Sequence, residues 1–349
     1  MIKLIGYIFV ALMMCSSPGL LAEFEDQTIG ELSGEVLLLS EDTSGLPNGR
    51  EDLTRSRLFL WLELEAPINE SFSFGVSVYG NLGTDKEEDN RRNLDNSPSN
   101  TTEFDQVYLD WNFSEEGFLR MGKQYIPTRL SSMFWDKDIS SVGLSISQDW
   151  LDDQENEYQL SAGSYTVEHL FSEETKLSFA DFHFTVPVAD IFLSSGLTLM
   201  HVTDTEFLLQ DNVQRTNTPE ALQEGFEIAS VDLSLNFSIL GQSVTTGVEA
   251  SKNFAIDEAN QAYRVNLIVG DNAVEGGWQF NLHYQDIERD ASVAAYVDDD
   301  WWFATWMNGY RLSTSYGITE DTFVQLSYFD EELQANNTKR VFLELRSFF

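Results

Sequence analysis

TRSRLFLWLELEA places Leu58, Leu60, Leu62, Leu64 and Ala66 on one face of an extended chain, and Arg57, Phe59, Trp61, Glu63 and Glu65 on the other. Strict alternation of this kind marks a β-strand with two unlike surroundings. A short turn, PINE, leads into SFSFGVSVYGN, where Phe72, Phe74, Val76 and Val78 alternate with Ser73, Ser77, Tyr79 and Asn81. The pattern returns about every twenty residues. It recurs in QVYLDWNF, GFLRMGKQYI, ASVDLSLNFSI, AYRVNLIVG, GGWQFNLHYQ and TFVQLSYF, and last in KRVFLELRSFF at the very end of the chain. Starting from GELSGEVLLLS, the repeats amount to about sixteen strands.

Two further properties turn the series into an architecture. Connections alternate between tight turns (PINE, SEEG, PVAD, ILGQ, GITED) and long acidic stretches at Leu82–Glu103, Asp204–Gly225 and Asp286–Asp300. Many strands also run to nine residues or more, whereas strands of soluble sheets usually run to five or six. Together these predict an all-β fold: a transmembrane, antiparallel, up-and-down β-barrel with short periplasmic turns and long acidic extracellular loops. A soluble sandwich would alternate as well, but strand length and the unequal connections favour the barrel. The apolar faces are then expected to meet lipid and the polar faces to line a lumen.

The N-terminus fits such an envelope protein. Lys3, an apolar run from Ile5 to Cys15 and small residues up to Ala22 have the layout of a secretory signal. Residues 1–22 are therefore expected to be cleaved, leaving 23–349 as a single barrel domain. The apolar run is shorter than the ~20 residues a spanning helix needs. Met14 is too bulky to precede a lipidated cysteine. Cys15 is the one cysteine and leaves with the signal, so the mature chain carries no disulfide. With 58 acids against 20 bases, the formal charge is −38. Such a balance argues against a nucleic-acid partner.

Charge acquires a place once parity is applied. Bases are scarce, and a base facing lipid near the midplane costs about 2–4 kcal/mol. Arg57, Glu63 and Glu65, with Arg120, Arg264 and Arg311 on later strands, fall on inward faces. Asp136 and Asp138 in SSMFWDKD are the candidate acids opposite them. Arginines facing acids across a constriction would set a transverse field for hydrated solutes, although each arginine could equally just pair with a neighbour and stiffen the wall. Phe134 and Trp135 fit an inward-folded loop packed near Phe59 and Trp61, or an external loop touching lipopolysaccharide. Asp298–Asp300 and Asp85–Asp89 lack the glycine-punctuated spacing of a calcium loop. The four histidines show no zinc spacing. Neither a cofactor nor an enzymatic role is expected.

KRVFLELRSFF resembles the terminal strand of Gram-negative outer-membrane porins and related barrels, which close on an aromatic residue with apolar residues alternating before it. Val341, Leu343, Leu345 and Phe349 fill those positions. The resemblance implies recognition by the barrel-assembly machinery and closure against the first strand. LRMGKQYIPTRLSSMFWDKDISSVGLSIS is similar to a strand-loop-strand segment of the Putative porin family, matched at Gly122, Lys123, Gln124, Pro127, Trp135, Asp136 and Gly143. This implies a third external loop that folds inward, a homotrimer, outer-membrane lipid and lipopolysaccharide around the barrel, and passive diffusion of small hydrophilic solutes and ions. The acidic balance leans the channel towards cations. A substrate-specific channel for sugars or anions is the alternative, as is a largely closed barrel serving adhesion or anchorage. A phosphate-selective channel would need a lysine-rich lumen, which this chain cannot easily supply.

Overall fold

In a computed structural model, described for residues 30–47, 51–84, 100–127, 130–167, 174–210, 215–298, 300–334 and 336–349, the alternating segments form sixteen strands. They are β1 (Glu31–Ser44), β2 (Leu53–Asn69), β3 (Phe72–Gly83), β4 (Thr102–Ser114), β5 (Gly117–Gln124), β6 (Ser141–Leu151), β7 (Glu157–Val167) and β8 (Thr175–Val188), followed by β9 (Ile191–Thr203), β10 (Phe226–Ile239), β11 (Gln242–Asn253), β12 (Gln261–Gly270), β13 (Trp278–Ile287), β14 (Met307–Gly317), β15 (Thr322–Leu333) and β16 (Asn336–Phe348). Each strand pairs antiparallel with its neighbours in the chain, and β1 pairs with β16, so the sheet is a closed barrel. The signal expected over residues 1–22 lies outside the described residues, as does the acidic run 85–89.

Side-chain alternation matches the two sides of the wall. On β6, Leu144 is 47% exposed on the outer surface, while Ser145 is 1% exposed within. Closure leaves no backbone edge, the condition under which a sheet can stand in hydrocarbon. Aromatic pairs collect outside at both ends. Trp150–Tyr158 and Trp278–Tyr316, with ring centroids 5.4 and 5.0 Å apart, lie beside the short turns. Tyr263–Tyr284 and Tyr310–Tyr328 lie beside the loops. Such girdles mark the two membrane interfaces.

β1 begins and β16 ends on the short-turn side, and the last residue completes the seam. The Phe349 amide donates to Gly34 O at 3.1 Å, and the Gly34 amide donates to Phe349 O at 2.8 Å. The Phe349 ring lies where a Cβ on Gly34 would stand, 2.6 Å from Cζ. Glycine at 34 thus lets the terminal ring cover the seam from outside. Val341, Leu343, Leu345 and Phe349 all point outward, and all are exposed. Phe349→Ala is expected to lower the yield of folded barrel severalfold and leave the conductance of assembled channels unchanged. The heat-modifiable band on a detergent gel reads the yield, and a wild-type yield would remove the terminal ring from barrel closure.

The loop side is not uniformly long: β15 and β16 are joined through residues 334–335 alone. The 204–225 connection contains two short helices, α1 (Phe207–Gln210) and α2 (Pro219–Glu224), where the sequence shows little helical period. The second starts at Thr218, whose Oγ1 accepts from the Ala221 amide, with Pro219 in the first turn.

Candidate functional site: the lumen constriction

The inner face of the seam carries a cluster of ion pairs. Register sets Glu41 of β1 beside Arg55 of β2, and β16 approaches from the other side with Arg340. Arg55 Nε donates to Glu41 Oε2 at 2.5 Å, and Arg340 Nη2 to Oε1 at 2.9 Å. Thr43 Oγ1 adds a third bond at 2.7 Å. The three ionic groups are 1%, 5% and 3% exposed. One carboxylate thus answers two guanidiniums from strands at opposite ends of the sequence. Nearer the turn side, Arg346 Nε lies 3.2 Å from Glu35 Oε1, and its Nη2 lies 3.5 Å from Glu344.

Among the described residues, two loops fold into the barrel, and the 204–225 connection joins their buried cluster through Phe207, Leu208, Ala221 and Leu222. In the β5–β6 loop, Met133, Phe134, Trp135 and Ile139 are all buried, with Trp135 3% exposed. The inward alternative therefore holds, but the expected contact with Phe59 and Trp61 does not. Those rings belong to a separate cluster with Leu37 and Tyr79. Trp135 packs instead on Tyr296, with centroids 5.8 Å apart. The reason is that a second loop, 288–306 between β13 and β14, has folded in beside the first. Its segment Ala291–Val297 is almost wholly buried.

Hydrogen bonds to backbone carbonyls join the two loops. The Asp136 amide donates to Tyr296 O at 2.7 Å, and Ser292 Oγ donates to Phe134 O at 3.2 Å. The walls then latch the second loop. Arg311 Nη1 lies 3.0 Å from Asp300 Oδ2, and Arg340 also donates to Asp300 O. Glu331 Oε2 accepts from the Phe303 amide at 3.0 Å. From the 204–225 connection, Asn217 Nδ2 donates to Ser292 O, and Thr218 donates to Asp290 through its amide and its hydroxyl.

A cavity of about 440 Å³ remains along the β16–β1–β2 wall, bounded by both loops. Glu35, Glu41, Glu63, Asp105, Asp138, Asp298, Asp300 and Glu344 line it, with Arg55, Arg57, Arg340, Arg346 and Lys137. Among the described lining residues, eight carboxylates therefore meet five cations. The loop charges reinforce each other. Asp138 beside Lys137, with Asp300 and Asp298 behind, holds that ammonium above its ordinary range against the effect of burial. Burial pushes Asp300 upward, yet Arg311, Lys137 and Arg340 together hold its carboxyl below the ordinary range. Both groups stay charged at neutral pH.

Of the candidate constriction residues, Arg57, Glu63 and Asp138 line this cavity. The others are placed elsewhere. Arg120 forms two 2.7 Å bonds to Asp110 and lies 3.6 Å from the Tyr108 ring centroid. Glu65 accepts from Ser73 at 3.3 Å. Arg264 is fixed by Gln285 and by Ser132 of the inward loop. Arg311 serves the latch. Asp136 is buried in the loop packing, its Oδ1 accepting from the Asp138 amide at 3.0 Å. Glu41, Arg55 and Arg340 stand outside the residues the sequence marks as candidates. Yet Arg55 shares parity with Arg57, and Arg340 shares parity with Glu344 and Arg346.

Gly122 of the GKQ strand has φ 135°, and a Cβ there would stand 2.3 Å from Val107 O, so the strand requires glycine at that point.

The sequence profile of the Putative porin family matches residues 192–338. The match lies C-terminal to the GKQ strand and the first inward loop. No curated protein matches the chain by sequence. Among solved structures, Pseudomonas putida OprB at high pH superposes with a TM-score of 0.67 at 11% identity, covering 95% of this chain and 96% of that one. Salmonella typhi OmpF in complex with daunomycin gives 0.56 at 9% identity, covering 92% and 98%. A triple mutant of Rhodopseudomonas blastica porin gives 0.51 at 12% identity, covering 91% and 99%.

Proposed function

We propose that this porin-fold barrel of the Gram-negative outer membrane is a passive diffusion channel for small hydrophilic solutes and ions, leaning to cations. The observation that carries the reading is the lined cavity. It runs along one wall beside two inward loops, and carboxylates outnumber cations on its surface. The bases there are also answered locally: Arg55 and Arg340 by Glu41, Arg346 by Glu35 and Glu344. A solute meets net negative charge, and rings of such charge favour cations.

The fold points to a channel rather than an enzyme. The apolar outer surface suits lipid, lipopolysaccharide at the loop end and a homotrimeric packing of barrels. The outward apolar side chains of β16 suit recognition by the barrel-assembly machinery. Reversal potentials across a planar bilayer under a KCl gradient test the selectivity. A potential of cation-selective sign is expected, and one of anion-selective sign would overturn the lean.

A further inference from the structure

Three aromatic rings form part of the lumen wall at mid-depth. Phe59 and Trp61 are successive inward residues of β2, stacked at 5.6 Å between centroids with 17° between planes. Tyr79, opposite Trp61 on β3, lies 5.1 Å from it. The Tyr79 hydroxyl accepts from Asn81 Nδ2 at 2.6 Å. Phe59 and Tyr79 are buried, whereas Trp61 is only half-buried, and Phe59 and Trp61 both line the cavity. The rings are therefore a backed platform presenting Trp61 to the passage, and they are not part of the cluster that seats the inward loops.

Apolar faces gain nothing from the water of a channel. The positions around them are polar and carry donors and acceptors of several kinds. Arg57 and Glu63 flank the rings along β2, and Ser77 and Gln106 follow on the adjoining strands. A ring face bordered by guanidinium, carboxylate and amide groups matches a solute with an apolar ring face and hydroxyls at its edge. A planar aromatic solute would use the rings and leave the border unused.

We infer that Trp61, backed by Phe59 and Tyr79, is a stacking subsite for neutral sugar rings in transit. The inference rests on the channel reading and adds a solute class to it.

The test is titration of maltotriose against the single-channel current of the full-length barrel. The expected result is a saturable, reversible block. Trp61→Ala should raise the half-blocking concentration about tenfold, the scale of one aromatic contact, and Trp61→Phe should restore most of the affinity. A conducting wild type with no saturable block, an unchanged half-block in Trp61→Ala, or stronger block by p-cresol than by maltotriose would each overturn the sugar subsite. A folded barrel that does not conduct would count against the channel reading instead. The subsite is then read from the tryptophan fluorescence change with maltotriose, which should be present in the wild type and absent in Trp61→Ala.

Discussion

Replacing Ala291–Val297 with a short glycine-serine link is expected to raise single-channel conductance about two- to threefold, because ion flow through a pore follows its narrowest cross-section. The segment is the centre of the inward packing. It carries Tyr296 against Trp135, and its backbone bonds to the first loop and to Asn217. Deleting Ser131–Asp138 should also raise conductance, but less, because the second loop then keeps its own anchors at Ser292 and Ala294 to Asn217. The comparison is informative in both directions. Equal wild-type conductance in both variants would mean that neither loop narrows the path. A larger effect from the first loop would make it the main constriction.

Glu41→Gln is expected to be the most destabilising single change in the lumen wall. It leaves Arg55 and Arg340 buried against each other without the carboxylate between them. Removing one member of a buried ionic group costs about 3–5 kcal/mol, much of it the penalty on the charges left behind. The seam between β1 and β16 should weaken first, since Glu41 and Arg340 bond across it. The temperature at which the folded band converts on a detergent gel should drop clearly. The reversal potential should move towards anions. An unchanged transition would show that the two arginines find other partners on the wall.

The barrel was legible because lipid and lumen impose opposite demands on neighbouring residues. Leu144 and Ser145 cannot exchange faces without exposing a hydroxyl to hydrocarbon, so period two is written into every stave. The closing role of β16 was legible from its resemblance to the terminal strand of outer-membrane barrels, and because the last stave's free edge has to pair in hydrocarbon. The constriction was only partly legible. Parity assigns a residue to the inner face, but it gives neither lateral neighbours nor the path of a loop. Arg57 and Arg120 look alike in sequence, yet one lines the cavity and the other is tied to Asp110 on the adjacent strand. Glu41 and Arg340 meet only because the barrel closes. The inward 288–306 loop did leave a signal. ASVAAYV is an apolar run within an acidic connection, and such a run has no place on a solvated loop. The acids at its two ends, Asp286 and Asp298–Asp300, dominate the charge count and hide that run in the sequence.

The central claim is that the closed barrel conducts through a water-filled path beside its inward loops. Single-channel recording of the purified wild-type barrel in a planar bilayer tests it most directly. Stepwise, ohmic current is the predicted result. Folded, heat-modifiable protein that inserts yet gives no current would contradict it, and would leave a sealed barrel in place of the channel.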